Sequence, residues 1–179
     1  MPEPVRIVPY DPAWPSLFAE IAARLRQALG DIALRIDHVG STAVPGLMAK
    51  PVIDIQVSVA DFEPEDSYRR PLEDLGYAFT PTSPDLTKRY FKGRGPEVHI
   101  HVRLAGSWSE QLSLLFRGYL RAHPEEAAGY AEVKTNLAAE YGEDRLGYTE
   151  AKGPSIWEIL RRAHEWSMAT GWRPATPDA

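Results

Sequence analysis

With 179 residues the chain is long enough for one well-packed domain and too short for two comfortable ones. Apolar and charged contents of 44% and 25% suit a globular protein, and a formal net charge of −5 excludes a nucleic-acid binder that works through a basic face. With that net charge, an anionic ligand must be held locally by a few placed cations and amides, and the lack of cysteine excludes disulfides and thiolate metal sites.

Val5 to Val8 read as a short strand or arm ended by Pro9. Asp11-Pro12 marks a helix start, with Asp11 as the N-cap and Pro12 at the first helical position. Leu17, Phe18, Ile21, Leu25 and Leu29 recur at helical spacing until Gly30 stops the run. Residues 34–39 and 52–59 are strands on either side of a Gly-Ser turn, and 64–75 a helix ended by Gly76. Residues 77–80 and 87–92 are shorter strands around the turn-rich run from Thr80 through Ser83 to Asp85, and 97–104 is a clear strand.

The rest is helical. One amphipathic helix carries Trp108, Leu112, Leu115, Phe116, Tyr119 and Leu120; Pro124 opens a second that Gly142 closes; Pro154 opens a third. The economical reading is a single α+β domain over residues 1–170, a mixed sheet flanked by helices, with 171–179 as a frayed tail. The N-terminus has neither the basic region nor the apolar run of a signal peptide. No segment approaches the roughly 18 apolar residues of a membrane span, so a cytoplasmic location is the default and no membrane partner is expected.

Alternation sorts the side chains of the two best strands. Asp54, Gln56 and Ser58 share one face of 52–59, opposite Ile53, Ile55, Val57 and Val59. Glu97, His99, His101 and Arg103 likewise share one face of 97–104, and Lys88, Tyr90 and Lys92 repeat the pattern more weakly. Alternation alone leaves two readings, a polar face against solvent or one lining a site. An acid, an amide and two histidines are ligands and hydrogen-bonding partners, which favours the site. His99 and His101 stand about 6 to 7 Å apart at Cα on one face, a spacing suited to metal ligation or phosphate contact. Gly40, Ser41 and Thr42 form a turn that can hold phosphate oxygens, or a simple turn with a capping hydroxyl. Lys50 is a candidate phosphate cation. Arg117 and Arg121, one helical turn apart, can reach an anion or stay solvated.

The segment from Asp37 to Val57 resembles the GrpB family, small proteins of the nucleotidyltransferase superfamily. Further blocks agree: His99 to Val102, Leu114 to Pro124, Tyr130 to Lys134 continuing through Leu137 to Tyr141, and Tyr148 to Lys152. Related domains occur fused to dephospho-coenzyme A kinases. The resemblance implies a nucleotidyltransferase-like fold and a site for a nucleotide or phosphorylated small molecule, with nucleotidyl transfer as its reaction. It matches Gly40 and Ser41 to the phosphate-holding turn and Asp54 to the first metal-binding acid. Thr42, Lys50, Gln56 and Arg117 complete the expected phosphate and nucleotide set. Asp54, His99 and His101 form the expected catalytic and metal-ligating set, for Mg²⁺, Mn²⁺ or Zn²⁺.

Three departures stand out. Gln56 occupies the place of a second acid, the downstream strand offers His99 and His101 where a third acid is expected, and Gly118 stands where an acid is more common. Two-ion phosphoryl transfer relies on carboxylates bridging cations about 3.5–4 Å apart, which a neutral amide cannot replace. Two alternatives follow: a catalytically inactive ligand-binding or regulatory module, and a metal-dependent hydrolase built on His99 and His101.

Overall fold

The computed structural model describes residues 4–82, 84–93 and 95–179. Ser83 of the predicted turn lies outside the described residues. The strands are β1 (Arg35–Val39), β2 (Ile53–Val59), β3 (Ala78–Phe79), β4 (Arg89–Gly93) and β5 (Val98–Leu104). The helices are α1 (Trp14–Leu29), α2 (Asp66–Asp74), α3 (Trp108–Ala122), α4 (Pro124–Tyr141), α5 (Arg145–Ala151) and α6 (Gly153–Thr170).

The strands form one mixed sheet in the order β1-β2-β5-β4-β3. β2 and β5 are parallel, and the other neighbours are antiparallel. A parallel pair needs a crossover, which α2, β3 and β4 supply. The register sets Asp54 opposite His99 and Gln56 opposite His101, so the two polar faces meet on one side of the sheet.

The other side carries the larger core. Ile53, Ile55, Val57, Ile100 and Val102 pack there with Phe18 and Leu25 of α1 and Tyr68 and Leu72 of α2. Each fully buried aliphatic or aromatic side chain of this kind contributes about 1.5–3 kcal/mol relative to exposure. A second apolar cluster joins Val44 and Leu47 to Leu115 and Leu120 of α3, Ala127 and Tyr130 of α4, and Ile159 and Ala163 of α6. The helical part thus covers one end of the polar face, and Gln56, Ser58 and Glu110 are buried beneath it. Ser58 there donates to the Glu110 carboxylate.

Three local expectations are corrected. The first helix begins at Trp14, with Pro15 in its opening turn, while Asp11 accepts a hydrogen bond from the Ala13 N–H at 2.8 Å. The short helix α5 was not expected, because it contains Gly147 and no long apolar stripe; the Asp144 side chain caps it by accepting from the Gly147 N–H. The tail from Gly171, expected to fray, lies against β1. Ala179 N–H donates to Ile36 O, and Asp178 accepts from the His38 N–H and pairs with Arg117 at 2.6 Å. Trp172 packs over Gly118, where a Cβ would come within 3.0 Å of the indole nitrogen. An acid at position 118 would therefore press on the Trp172 ring. Among the described residues no helix is long and apolar enough to cross a membrane.

Candidate functional site

Gly40 ends β1 with φ 72° and ψ −172°, backbone values essentially restricted to glycine. A Cβ at this position would lie 2.7 Å from Asp54 Oδ2, so the turn passes directly over the β2 carboxylate. One turn of 3₁₀ helix follows, Ser41–Ala43. The buried Thr42 hydroxyl donates to Val52 O at 3.0 Å and lies 2.9 Å from His38 Nε2. Burial pushes His38 down to about 4, so its neutral ring fixes the turn.

Asp54 is the centre of a polar cluster. His101 Nε2 lies 3.1 Å and His99 Nδ1 3.5 Å from the same oxygen, Oδ1. The second nitrogen of His99 is 3.2 Å from Glu97. Burial acts to raise the Asp54 carboxyl, but hydrogen bonds from His101 and His99 outweigh it and hold the group well below the ordinary carboxylate range. Burial pushes His101 down to about 4 against the pull of Asp54. The ring is therefore neutral at pH 7, donates Nε2–H to Asp54 and stacks on Tyr90 at 5.1 Å between centroids. Its Nδ1 is buried with no hydrogen-bond partner.

These residues form the floor of a cavity of about 680 Å³ whose rim is basic. Lys50, Lys88, Lys92, Lys134, Arg145 and Lys152 all line it, and Asp54 is its one carboxylate among the described residues. Lys50 and Lys152 stand over the Tyr148 ring at 5.5 and 4.7 Å, and Lys88 and Lys92 over Tyr90 at 4.9 and 5.4 Å. Lys134 reaches from α4 to donate to Ser41 Oγ at 3.0 Å and to Met48 O. Burial, with the charge of Lys152, lowers Lys134 to about 7. Burial and Lys50 lower Lys152 to about 8.

The structure brings Ser41, Thr42, Lys50, Asp54, His99 and His101 to one cavity, with Gly40 backing it. Two expected residues are not there. Arg117 is 4% exposed and donates to His38 O at 2.7 Å and to Asp178, behind the turn. Gln56 is fully buried; its Oε1 accepts from Arg103 at 2.7 Å and its amide faces Glu110 O. Both are drawn away by buried partners that alternation cannot reveal. Among the described residues no three His, Asp or Glu side chains are arranged to hold an ion. The physical reason is that both rings point a nitrogen at the same Asp54 oxygen.

Lys134, Lys152 and Arg145 were missed. A signal existed: Tyr130-x-x-x-Lys134 and Tyr148-x-x-x-Lys152 each set a lysine one helical turn from an aromatic ring. Lys134 lies 4.9 Å from the Tyr130 centroid, matching the Lys152 pair.

The family described as GrpB protein matches residues 4–162. UPF0157 protein BH1888 of Halalkalibacterium halodurans is 40% identical over 161 residues, covering 89% of this chain and 83% of its own. A dephospho-CoA kinase of Mycolicibacterium paratuberculosis is 35% identical over 96% of this chain, which spans only 49% of the kinase. The crystal structure of conserved protein GrpB from Enterococcus faecalis superposes with a TM-score of 0.82 at 33% identity, covering 91% of this chain and 99% of that one. Terminal uridylyl transferase 4 from Trypanosoma brucei with bound UPU gives a TM-score of 0.50 at 16% identity, covering 83% of this chain and 54% of the other; the likeness is one of fold.

Proposed function

The chain belongs to the GrpB family, and from that premise we propose that the basic cavity binds a nucleotide or another phosphorylated small molecule. The observation that carries this reading is six basic side chains around one cavity in a chain whose net charge is −5. Two of them have carboxylates nearby, Arg145 beside Glu97 and Lys88 beside Asp85, and the positive charge left over attracts an anion. The nucleotidyltransferase-like fold and the relatives named dephospho-CoA kinase support a phosphorylated ligand.

In this reading Ser41, held by Lys134, presents its hydroxyl at the turn, and Lys50 and Lys152 take phosphate oxygens beside Tyr148. Tyr90 and Tyr148 supply the apolar walls against which a base or sugar rests. Asp54, kept ionised by its histidines, accepts a hydrogen bond from a ligand hydroxyl. The two-ion transfer of the wider superfamily does not fit these donors, since among the described residues lining the cavity Asp54 alone offers a carboxylate and Gln56 is turned away. Ligand binding, as in a regulatory module, is the function the geometry supports best. The hydrolase reading finds no matching three-donor arrangement among the described residues.

Thermal shift against a panel of nucleotides and sugar phosphates tests this. A ligand at a hundred times its dissociation constant adds about 2.7 kcal/mol of stability. The expected result is a shift with at least one nucleotide that is lost in Lys50→Ala and Lys152→Ala. A flat response across the panel overturns the proposal.

A further inference from the structure

Resting on the reading that this cavity takes a phosphorylated ligand, we propose that it holds a polyphosphate as a metal-free anion, with lysines in place of divalent cations. The donor inventory points this way. A divalent ion beside a polyphosphate keeps several waters and is held by the phosphates together with one or two protein carboxylates that are free to turn an oxygen to it. The cavity offers one carboxylate, Asp54, whose Oδ1 already faces two histidines and whose Oδ2 lies under the Gly40 turn. The amide at position 56, one strand repeat further along the same face, is committed to Arg103 and Glu110.

The cations are the opposite case. They come from separate stretches of chain: Lys50 before β2, Lys88 and Lys92 around β4, Lys134 from α4, and Arg145 and Lys152 at the two ends of α5. Arg145 has Glu97 at 3.5 Å, and Lys88 has Asp85 at 3.9 Å. Lys50 and Lys152 instead share the Tyr148 ring, and Lys134 bonds only to neutral oxygens. Among the described residues these three amino groups thus converge with no carboxylate in salt-bridge contact, and a chain of phosphates supplies the compensating charge. A metal ion on the ligand would subtract from the charge these lysines recognise, so metal is expected to weaken binding.

The ligand class is therefore a tri- or higher phosphate, with or without a nucleoside. Calorimetric titration of the intact protein with ATP, inorganic tripolyphosphate and orthophosphate, in EDTA and again with excess Mg²⁺, is the test. ATP and tripolyphosphate should bind in EDTA at least as tightly as with Mg²⁺, and orthophosphate at least a hundredfold more weakly. Lys152→Gln should lower affinity for tripolyphosphate in EDTA by tenfold or more and Lys152→Arg should restore most of it, while Arg161→Gln, outside the cavity, should change nothing. ATP binding that appears with Mg²⁺ and vanishes in EDTA overturns the metal-free inference and leaves the nucleotide reading standing. Absence of binding under both conditions removes that reading and the inference with it.

Discussion

Lys134 Nζ donates to Ser41 Oγ at 3.0 Å across 93 residues of chain, tying helix α4 to the turn after β1. A buried ammonium is costly unless its environment returns the interaction energy. Here the returns are a hydroxyl, the Met48 carbonyl and the face of the Tyr130 ring, none of them carrying a formal charge.

Lys134→Met should therefore lower affinity for a triphosphate by tenfold or more. Its effect on stability depends on pH. The unfolded chain keeps the proton to about 10.5 and the folded chain to about 7, so the parent bears the full cost of this charge below pH 7 and is relieved of it as pH rises. The variant should gain most relative to the parent near pH 6 and least near pH 10, read from urea midpoints at both.

Ligand affinity should run the other way. Lys134, facing Lys152, and Lys152, facing Lys50 and Asp54, both sit low by burial, at about 7 and about 8. As pH rises through that range they lose the charge a polyphosphate needs. Affinity for tripolyphosphate should fall roughly tenfold or more between pH 7 and pH 9, with proton uptake on binding at pH 8. Calorimetry in two buffers of different ionisation enthalpy measures both; pH-independent affinity would show that neither lysine contacts the ligand.

Gly40→Ala should destabilise by more than about 2 kcal/mol, combining a disfavoured backbone with the clash against Asp54. Gly46→Ala is the control. Its φ of 79° is also left-handed, but nothing lies within 4 Å of the added Cβ, so a loss near 1 kcal/mol is expected. Equal losses in chemical denaturation would refute the close approach of the turn to β2.

Gln56→Asp places a carboxylate where the superfamily carries its second acid. The side chain here points to Arg103 and Glu110 and not into the cavity. The variant should show no nucleotidyl transfer and should lose about 1–3 kcal/mol, because the Glu110 carbonyl loses its amide donor while a buried charge is added. Transfer activity in this variant would mean that the face is available for catalysis after all.

Much of this was legible in the residues. Period-two alternation gave β2 and β5 with the correct inward and outward faces, since a strand's pleat fixes side-chain direction locally. The Gly-Ser turn and Asp54 were identified from their order, and the structure adds the contact that requires Gly40. Arg117 and Gln56 were misplaced for one reason: a polar residue's partner is chosen by whichever buried group the packing brings near. Asp37 and the His38 carbonyl, 80 and 79 residues from Arg117, are such partners.

The sequence by itself determined the strands, the long helices, the family and the acid at the head of β2, because periodicity, turn chemistry and motif order are properties of short stretches. Only the tertiary structure decided that Lys134 and Lys152 cross from the helical part to the turn and the sheet, and that Gln56 turns away. A lysine on one helix carries no mark of the lysines it will face. The charge of the cavity, and hence the ligand it can hold, is a sum taken over elements distant in the chain.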